Sequence, residues 1–471
     1  MNIFEVLKSM GFETVPQDFY SLIGVWKNWY DGDVKKFHTY KVFNGQKKVT
    51  VRRFSTGMAK KTSEDIANLL MNEKVHTTLE GDAEQEFIDS VAIENNLQVK
   101  MNEAQETKAG FGTMAYVPRV ENVSVDASTG AVLKGNNARI KIDFVTAPNI
   151  FPLSWENGFV KECAFATEKV DGKKTYLYLQ IHRINSNGFY DIENHLYLNN
   201  RGNLTEAELS ELNGFEKLPP VVHTNSDKRQ FVIDRLNIAN NYDVSLPMGI
   251  AIFANAIDQL KGVDIAYDSY VNEFVLGKKR IMVKPEATKN FDGEPYFDSD
   301  DLAYYVMPED SSGDSFIKEI DMKLRTAEHN AGIQDMLNML SAKCGFGENH
   351  YRFNQGSIST ATQIVSENST MFRNIKKHEL ILESVMKELC RIILRLGNTY
   401  LGLNLDEDVE ISIDFDDSII EDKETDFNRD ARMVQMGILN DYEFRAKWLN
   451  ETEETAKAAL PGMENMLSGD A

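Results

Sequence analysis

Asn349, His350, Arg352, Asn354 and Gln355 put a row of hydrogen-bond donors into one short polar stretch, with glycines at 345, 347 and 356 among them. Amide, imidazole and guanidinium groups can meet phosphate oxygens without reading a base sequence. Gly345, Gly347 and Gly356 give the backbone room to flex. Arg352 is the one full positive charge among these donors, so each phosphate contact would be shallow. The same composition also fits an ordinary surface loop of a helical protein. Thr360-Ala-Thr-Gln363 follows at once and reads as a capping box. In it the Thr360 hydroxyl accepts from the Gln363 N–H, and the Gln363 side chain returns to the Thr360 N–H.

Two charged runs offer further chemistry. Lys278, Lys279, Arg280 and Lys284 form a basic cluster behind a helical pattern. They can touch DNA or an acidic partner, or simply complement the negative end of a helix dipole. The acidic run from Asp406 to Asp426 invites a metal-dependent phosphodiesterase reading through Asp414 and Asp416. Its spacing matches no EF-hand loop and acids along a strand alternate in facing, so a solvated or inter-subunit acidic face is favoured. The eight histidines include no H-x-x-x-H or H-E-x-x-H pair, and there is no G-x-x-x-x-G-K-S/T cradle. Gly345-Phe-Gly347 follows no strand and so opens no dinucleotide fingerprint. The expectation is a protein that is not an enzyme, with no catalytic residue, cofactor or metal ligand.

The 471 residues suffice for about two to four structural units, and the formal charge of −22 speaks against tight wrapping of nucleic acid. No apolar run approaches the roughly 20 residues of a membrane span, and the N-terminus has neither the basic nor the apolar region of a signal peptide. The chain is therefore expected to stay where it is made. Cys163, Cys344 and Cys390 are odd in number and far apart, which argues against a disulfide framework, and Cys390 reads as a small core residue.

The elements that must position these groups follow from period and punctuation. Two short helices open the chain, and a hairpin turns at Asn44-Gly45. A helix near 58–72 and a longer one over 83–109 come next, then β alternation from Thr113 to about Leu198 and a polar, loop-like segment over 199–230. A long helix is expected to open at Ser245-Leu246-Pro247 and close at Gly277, with a heptad-like seam interrupted only by Asp264. A small β region over 278–323 and a helix over 325–343 lead to the donor-rich loop. Beyond it a helical pattern runs to Leu396, about 55 Å of helix, whose apolar seam is interrupted by Asn368 and His378. One strand, 409–415, and short helices finish an α+β chain.

Ser359-Thr-Ala-Thr-Gln-Ile-Val-Ser-Glu-Asn-Ser369 and Arg373-Asn-Ile-Lys-Lys-His378, after the glycine-rich segment with Tyr351 and Phe353, closely resemble the portal proteins of tailed bacteriophages, the siphovirus type that groups the A118-like and SPP1-like portals. Trp29-Tyr30 with Gly32, Phe151-Pro152 with Trp155-Glu-Asn-Gly158, and Phe415-Asp-Asp-Ser418 are looser matches. The family's usual Lys and Glu are replaced by Ser359 and Gln363. The resemblance implies a ring, usually of twelve subunits, at one capsid vertex, through which double-stranded DNA is packaged and ejected. It implies a portal fold: an α+β wing (1–240), a two-helix stem (241–277 and 324–344), a small β-rich clip (278–323) and a tunnel loop (345–359). A long spine helix (360–397), a wing edge (398–440) and a short helical C-terminal crown and tail (441–471) complete it. The implied partners are other copies of the chain, passing DNA, the terminase large subunit, the head-completion adaptor, and scaffold and major capsid proteins, with no membrane. The implied place is the virion, assembled in the host cytoplasm. Another phage connector ring component is the nearer alternative, and the metal-dependent phosphodiesterase the more distant one.

Overall fold

Asn2 starts the first helix, α1 (Ile3–Ser9), with a full capping box: it accepts the Glu5 N–H at 2.9 Å, and its own N–H reaches the Glu5 carboxylate at 2.9 Å. The computed structural model describes residues 1–43, 46–71, 75–122, 124–125, 132–133, 138–216, 218–283, 304–306, 317–320, 322–352, 361–415, 423–449 and 453–459. In α2 (Gln17–Tyr30), Phe19, Ile23, Trp26 and Trp29 recur at steps of four and three and form one buried stripe. Then come α3 (Lys35–His38), the two-stranded ribbon β1 (Thr39–Phe43) and β2 (Lys48–Arg52), α4 (Met58–Leu70) and β3 (His76–Leu79). The helix expected over 83–109 is in fact two, α5 (Asp82–Glu94) and α6 (Leu97–Phe111). Asn96 takes a left-handed φ of 48°, and the Asn95 side chain clamps the break to a neighbouring strand, donating to Ile140 O at 2.9 Å and accepting from Ile142 N at 3.1 Å.

The β body comprises β4 (Thr113–Glu121), β5 (Ser124–Val125), β6 (Val132–Leu133), β7 (Arg139–Thr146), β8 (Ile150–Glu156), β9 (Phe159–Asp171), β10 (Lys174–Ile184), β11 (Tyr190–Asn200), β12 (Asn203–Ala207), β13 (Val221–His223) and β14 (Val232–Arg235). One antiparallel sheet has the order β12-β11-β10-β9-β8 with β13 beside β11; a second has the order β14-β4-β7. Part of the segment expected as loop, 199–230, is therefore strand. Asn200 pairs with Asn203 across Arg201 (φ 56°) and Gly202 (φ 88°), a tight turn whose first residue is an uncommon choice for a left-handed position. Lys108 and Asp234 are buried between α6 and the second sheet, with Lys108 Nζ 3.0 Å from Asp234 Oδ1. Gln105 and Tyr116 donate to the same carboxylate at 2.8 and 3.0 Å.

The helix expected to open at Ser245 starts only at Ile257. Residues 246–254 are buried and run through the core without helical structure, leading to a single 3-10 turn, Ala254–Ala256. Their backbone finds outside partners: the Gly249 N–H donates to Thr113 Oγ1 at 2.9 Å and the Ile252 N–H to Ala109 O at 2.8 Å. Gly112 and Gly249 meet backbone to backbone, where a Cβ on either would lie 2.5 or 2.3 Å from the other's carbonyl oxygen. Proline and apolar content suggested a helix, but these contacts outcompete it.

The remaining order is α7 (Ile257–Leu276), β15 (Arg280–Val283), β16 (Tyr304–Val306), β17 (Ile317–Ile320), α8 (Thr326–Cys344) and α9 (Ala361–Leu396). A single π-helical turn over 397–401, β18 (Ile411–Asp414), α10 (Lys423–Gln435), α11 (Asp441–Leu449) and α12 (Glu453–Ala458) complete it. α7 and α8 pack together and carry the sheet β16-β15-β17 between them. Glu273 closes the base of that tip, with Arg325 Nη2 at 2.9 Å and His329 Nε2 at 3.5 Å; the Arg325 contact holds its carboxyl down at about 2. β18 pairs with β3 from the far end of the chain. The three cysteines are buried and free.

The polar interruptions of the two helical seams are cross-links. Asp264 accepts from buried His38 Nε2 at 3.0 Å and from both the N–H and the hydroxyl of Thr56 at 2.7 Å. One turn on, Asp268 accepts from the Phe54 N–H at 3.1 Å. On α9, His378 Nδ1 accepts from the Asn237 N–H at 3.0 Å. Burial, with Lys108 and Lys377 nearby, pulls this imidazole down to about 3, so it is neutral at ordinary pH. Replacing Asp264 with Ala should strand the buried His38 N–H and both Thr56 donors, lowering unfolding free energy by about 3 kcal/mol in urea titrations. A loss within about 0.5 kcal/mol, typical of an exposed site, would show that the tie does not hold α7.

Candidate functional site

The donor-rich loop leaves α8 through a Schellman cap. Gly345, at φ 86°, donates its N–H to Ala342 O at 3.3 Å, and the Phe346 N–H reaches Ser341 O at 3.1 Å. A Cβ at 345 would stand 2.2 Å from the Asn374 amide of α9, which would have to turn aside, and the positive φ itself favours glycine. Gly345 is thus a fixed terminator at this end. Gly347 (φ 87°) and Asn349 (φ 64°) continue the tight path, and the Ser341 hydroxyl donates to Gly347 O.

An aromatic cluster seals this base. Phe346 stacks on His350 with centroids 4.6 Å apart and planes 11° from parallel, and Tyr351 meets both rings edge-on. Tyr351 is buried; its hydroxyl donates to Asp65 Oδ2 on α4 at 2.9 Å, and its carbonyl accepts from Gln334 Nε2 at 2.8 Å. His350 Nε2 lies 3.7 Å from the same Asp65 oxygen, and Lys61 pairs with Oδ1 at 2.5 Å. Burial pushes the Asp65 carboxyl up, but the contacts from His350, Lys61 and Tyr351 outweigh it and hold the group below its ordinary value. Of the proposed contact residues, His350 therefore sits in the cluster, Asn349 forms the turn, and Arg352 is exposed with its Nε donating back to Asn349 O at 3.1 Å. Asn354, Gln355, Gly356 and Thr360 lie outside the described residues, as does the side chain of Gln363; α9 itself begins at Ala361. Asp65 was not singled out in the sequence, and an acid 286 residues from Tyr351 leaves no local signal.

At the other charged sites, Lys278 and Lys279 are exposed at the end of α7, Lys279 pairs with Glu319 across the tip sheet, and Arg280 opens β15 opposite Ile320. Lys284 lies outside the described residues. In the acidic run, Val409, Ile411 and Ile413 are buried while Glu410 and Asp414 face outward, and Glu407 is held by Arg395 at 3.1 Å. Asp416 lies outside the described residues. Among the described residues no group of three or more His, Cys, Asp or Glu could hold a metal ion, and no helix is long and apolar enough to cross a membrane. A concavity of about 1050 Å³ between α9 and residues 223–228 is bordered by the Arg229–Glu388 pair, bidentate at 2.7 Å, and its walls mix acids and bases.

The model of the phage portal protein family, SPP1 Gp6-like, matches residues 16–460. The chain belongs to this portal family. It is accordingly a structural protein of a bacteriophage capsid, with a portal function. None of the curated proteins matches it. Among solved structures, a chain from the neck of a native GTA particle computed with C12 symmetry is similar, at 11% identity and a TM-score of 0.39, covering 82% of this portal protein and 88% of that chain.

The Asp65 contacts carry a pH signature. A carboxyl held below its ordinary value stabilises the fold above about pH 3.9 and loses that contribution as pH falls through its lower folded value. Asp65→Asn should therefore be less stable than the native portal near neutrality, and the difference in urea midpoints should close below about pH 3.9. A constant difference across that range would mean the charge of Asp65 plays no part.

Proposed function

We propose that the chain assembles as a ring at one capsid vertex and forms the conduit for double-stranded DNA during packaging and ejection. The observation that carries the layout is the unbroken order of packed helix, β tip, packed helix, sealed loop base and 36-residue helix, inside a chain matched to the portal family over residues 16–460. On this reading α7 and α8 form the stem and their β tip the clip, where terminase and later the head-completion adaptor dock. Residues 345–359 form the tunnel loop and α9 the spine. Residues 1–240 are the wing, 398–440 its edge and 441–471 a short crown. The stem begins at Ile257, because 246–256 belongs to the wing core.

Phe274, Val275 and Leu276 at the end of α7 and Met339 on α8 are exposed apolar groups that a lateral neighbour would cover. Arg352 at the solvent side of the loop base supplies one guanidinium per subunit, which a ring multiplies into a belt of weak phosphate contacts. The role is structural, and the energy of packaging comes from a separate ATPase.

Electron microscopy of the purified protein should show a turbine-shaped ring with a central hole; a compact monomer at high concentration would defeat the proposal. Shortening 345–359 should leave rings intact while reducing packaged DNA, because the sealed base lies outside the shortened part when residues 353–358 are removed. Loss of the ring itself would make the loop an assembly element.

A further inference from the structure

The charge of this acidic chain is segregated. Residues 34–63 contain nine Lys and Arg and not one Asp or Glu, whereas residues 404–415 contain five acids and no base. The basic segment includes the ribbon β1–β2, whose register pairs Thr39 with Arg52, Lys41 with Thr50 and Phe43 with Lys48. Paired residues share a face, so Lys41, Phe43, Lys48 and Arg52 stand together, and every residue of that face is exposed, Phe43 at 63%. Arg52 also lies 3.9 Å from Asp33, in an exposed pair. The opposite face, with Tyr40 and Val51, turns toward the body, where the Arg53 guanidinium sits 4.3 Å from the Phe37 ring centre and 4.9 Å from that of Tyr40. The ribbon is rooted by the Phe54 and Thr56 bonds to α7 and is not a loose arm.

The acidic counterpart is a second two-stranded ribbon. Leu79, Ile411 and Ile413 of β3 and β18 are buried, while Glu80, Glu410 and Asp414 project outward. Each chain thus carries a cationic ribbon face with an exposed phenyl ring and an anionic ribbon face, on separate elements.

We propose that the basic face of β1–β2 in one subunit docks on the acidic face of β3–β18 in the next copy. Because the two patches differ, the contact is head-to-tail, the kind that closes a ring and not a two-fold dimer. The proposal rests on the ring reading above. Individual rim ion pairs contribute little to affinity, so the face acts mainly by setting partner register and by speeding salt-sensitive encounter.

The test uses the full chain and three variants: Lys41→Glu/Lys48→Glu/Arg52→Glu, Glu80→Lys/Glu410→Lys/Asp414→Lys, and the two sets combined. Assembly is followed by mass photometry against protomer concentration and salt, with far-UV circular dichroism confirming that each protomer is folded. Each single-face reversal should raise the half-assembly concentration about a hundredfold or more, as like charges are brought together. The combined reversal should restore rings, an outcome that misfolding could not produce. Single-face variants that assemble like the native chain would overturn the proposal. So would a basic-face variant that forms normal rings and loses only DNA retention, which would assign the ribbon to DNA. A native chain that forms no ring would instead bring down the portal conduit reading on which the proposal rests.

Discussion

Asp264 holds the molecule in register. A helix packed only through apolar side chains can slip along its seam with modest loss, but a buried carboxylate with three donors has one place to be. By accepting from His38 and Thr56 it fixes α7 against the N-terminal segment. His378 does the same for α9 through the backbone of Asn237, just beyond β14. The Lys108–Asp234 pair, with Gln105 and Tyr116 on the same carboxylate, joins α6, β4 and β14 a short distance away. The long helices are thus indexed to the body by a few buried polar groups, and the apolar seams supply bulk cohesion.

This indexing defines what the loop can do. α8 ends in a capped turn against α9, and the aromatic cluster behind it is fastened to α4. A loop that hung from a free helix end would lose any contact it made to its own disorder. Here the chain is presented from a sealed foundation, and Arg352 stands exposed on it.

Much of this was legible in the sequence. Seam positions identified α9, α8 and the packed portion of α7, and the Asp264 and His378 interruptions were visible as anomalies, whereas Gly345, which caps α8, reads in the sequence as a flexing loop glycine. Their partners were not visible, because His38 and Asn237 are distant in sequence and carry no pattern of their own. The missed helix break at Asn95–Asn96 and the false helix over 246–256 both follow from distant partners: the Asn95 side chain is taken up by β7, and the backbone of 246–256 bonds to Thr113 and the end of α6. In the loop, the sequence supplies donor chemistry as a list of residue types. The inward packing of His350 depends on Asp65 and Phe346 together, which no spacing rule encodes.

The Tyr351–Asp65 bond has a mechanical meaning. Tyr351 lies in the loop a few residues past the end of α8, yet its hydroxyl is moored to α4, a helix far away in the sequence. A pull on the chain beyond Arg352 is therefore shared with α4 before it reaches α8. Tension on the loop is thus divided between two helices that the sequence holds far apart.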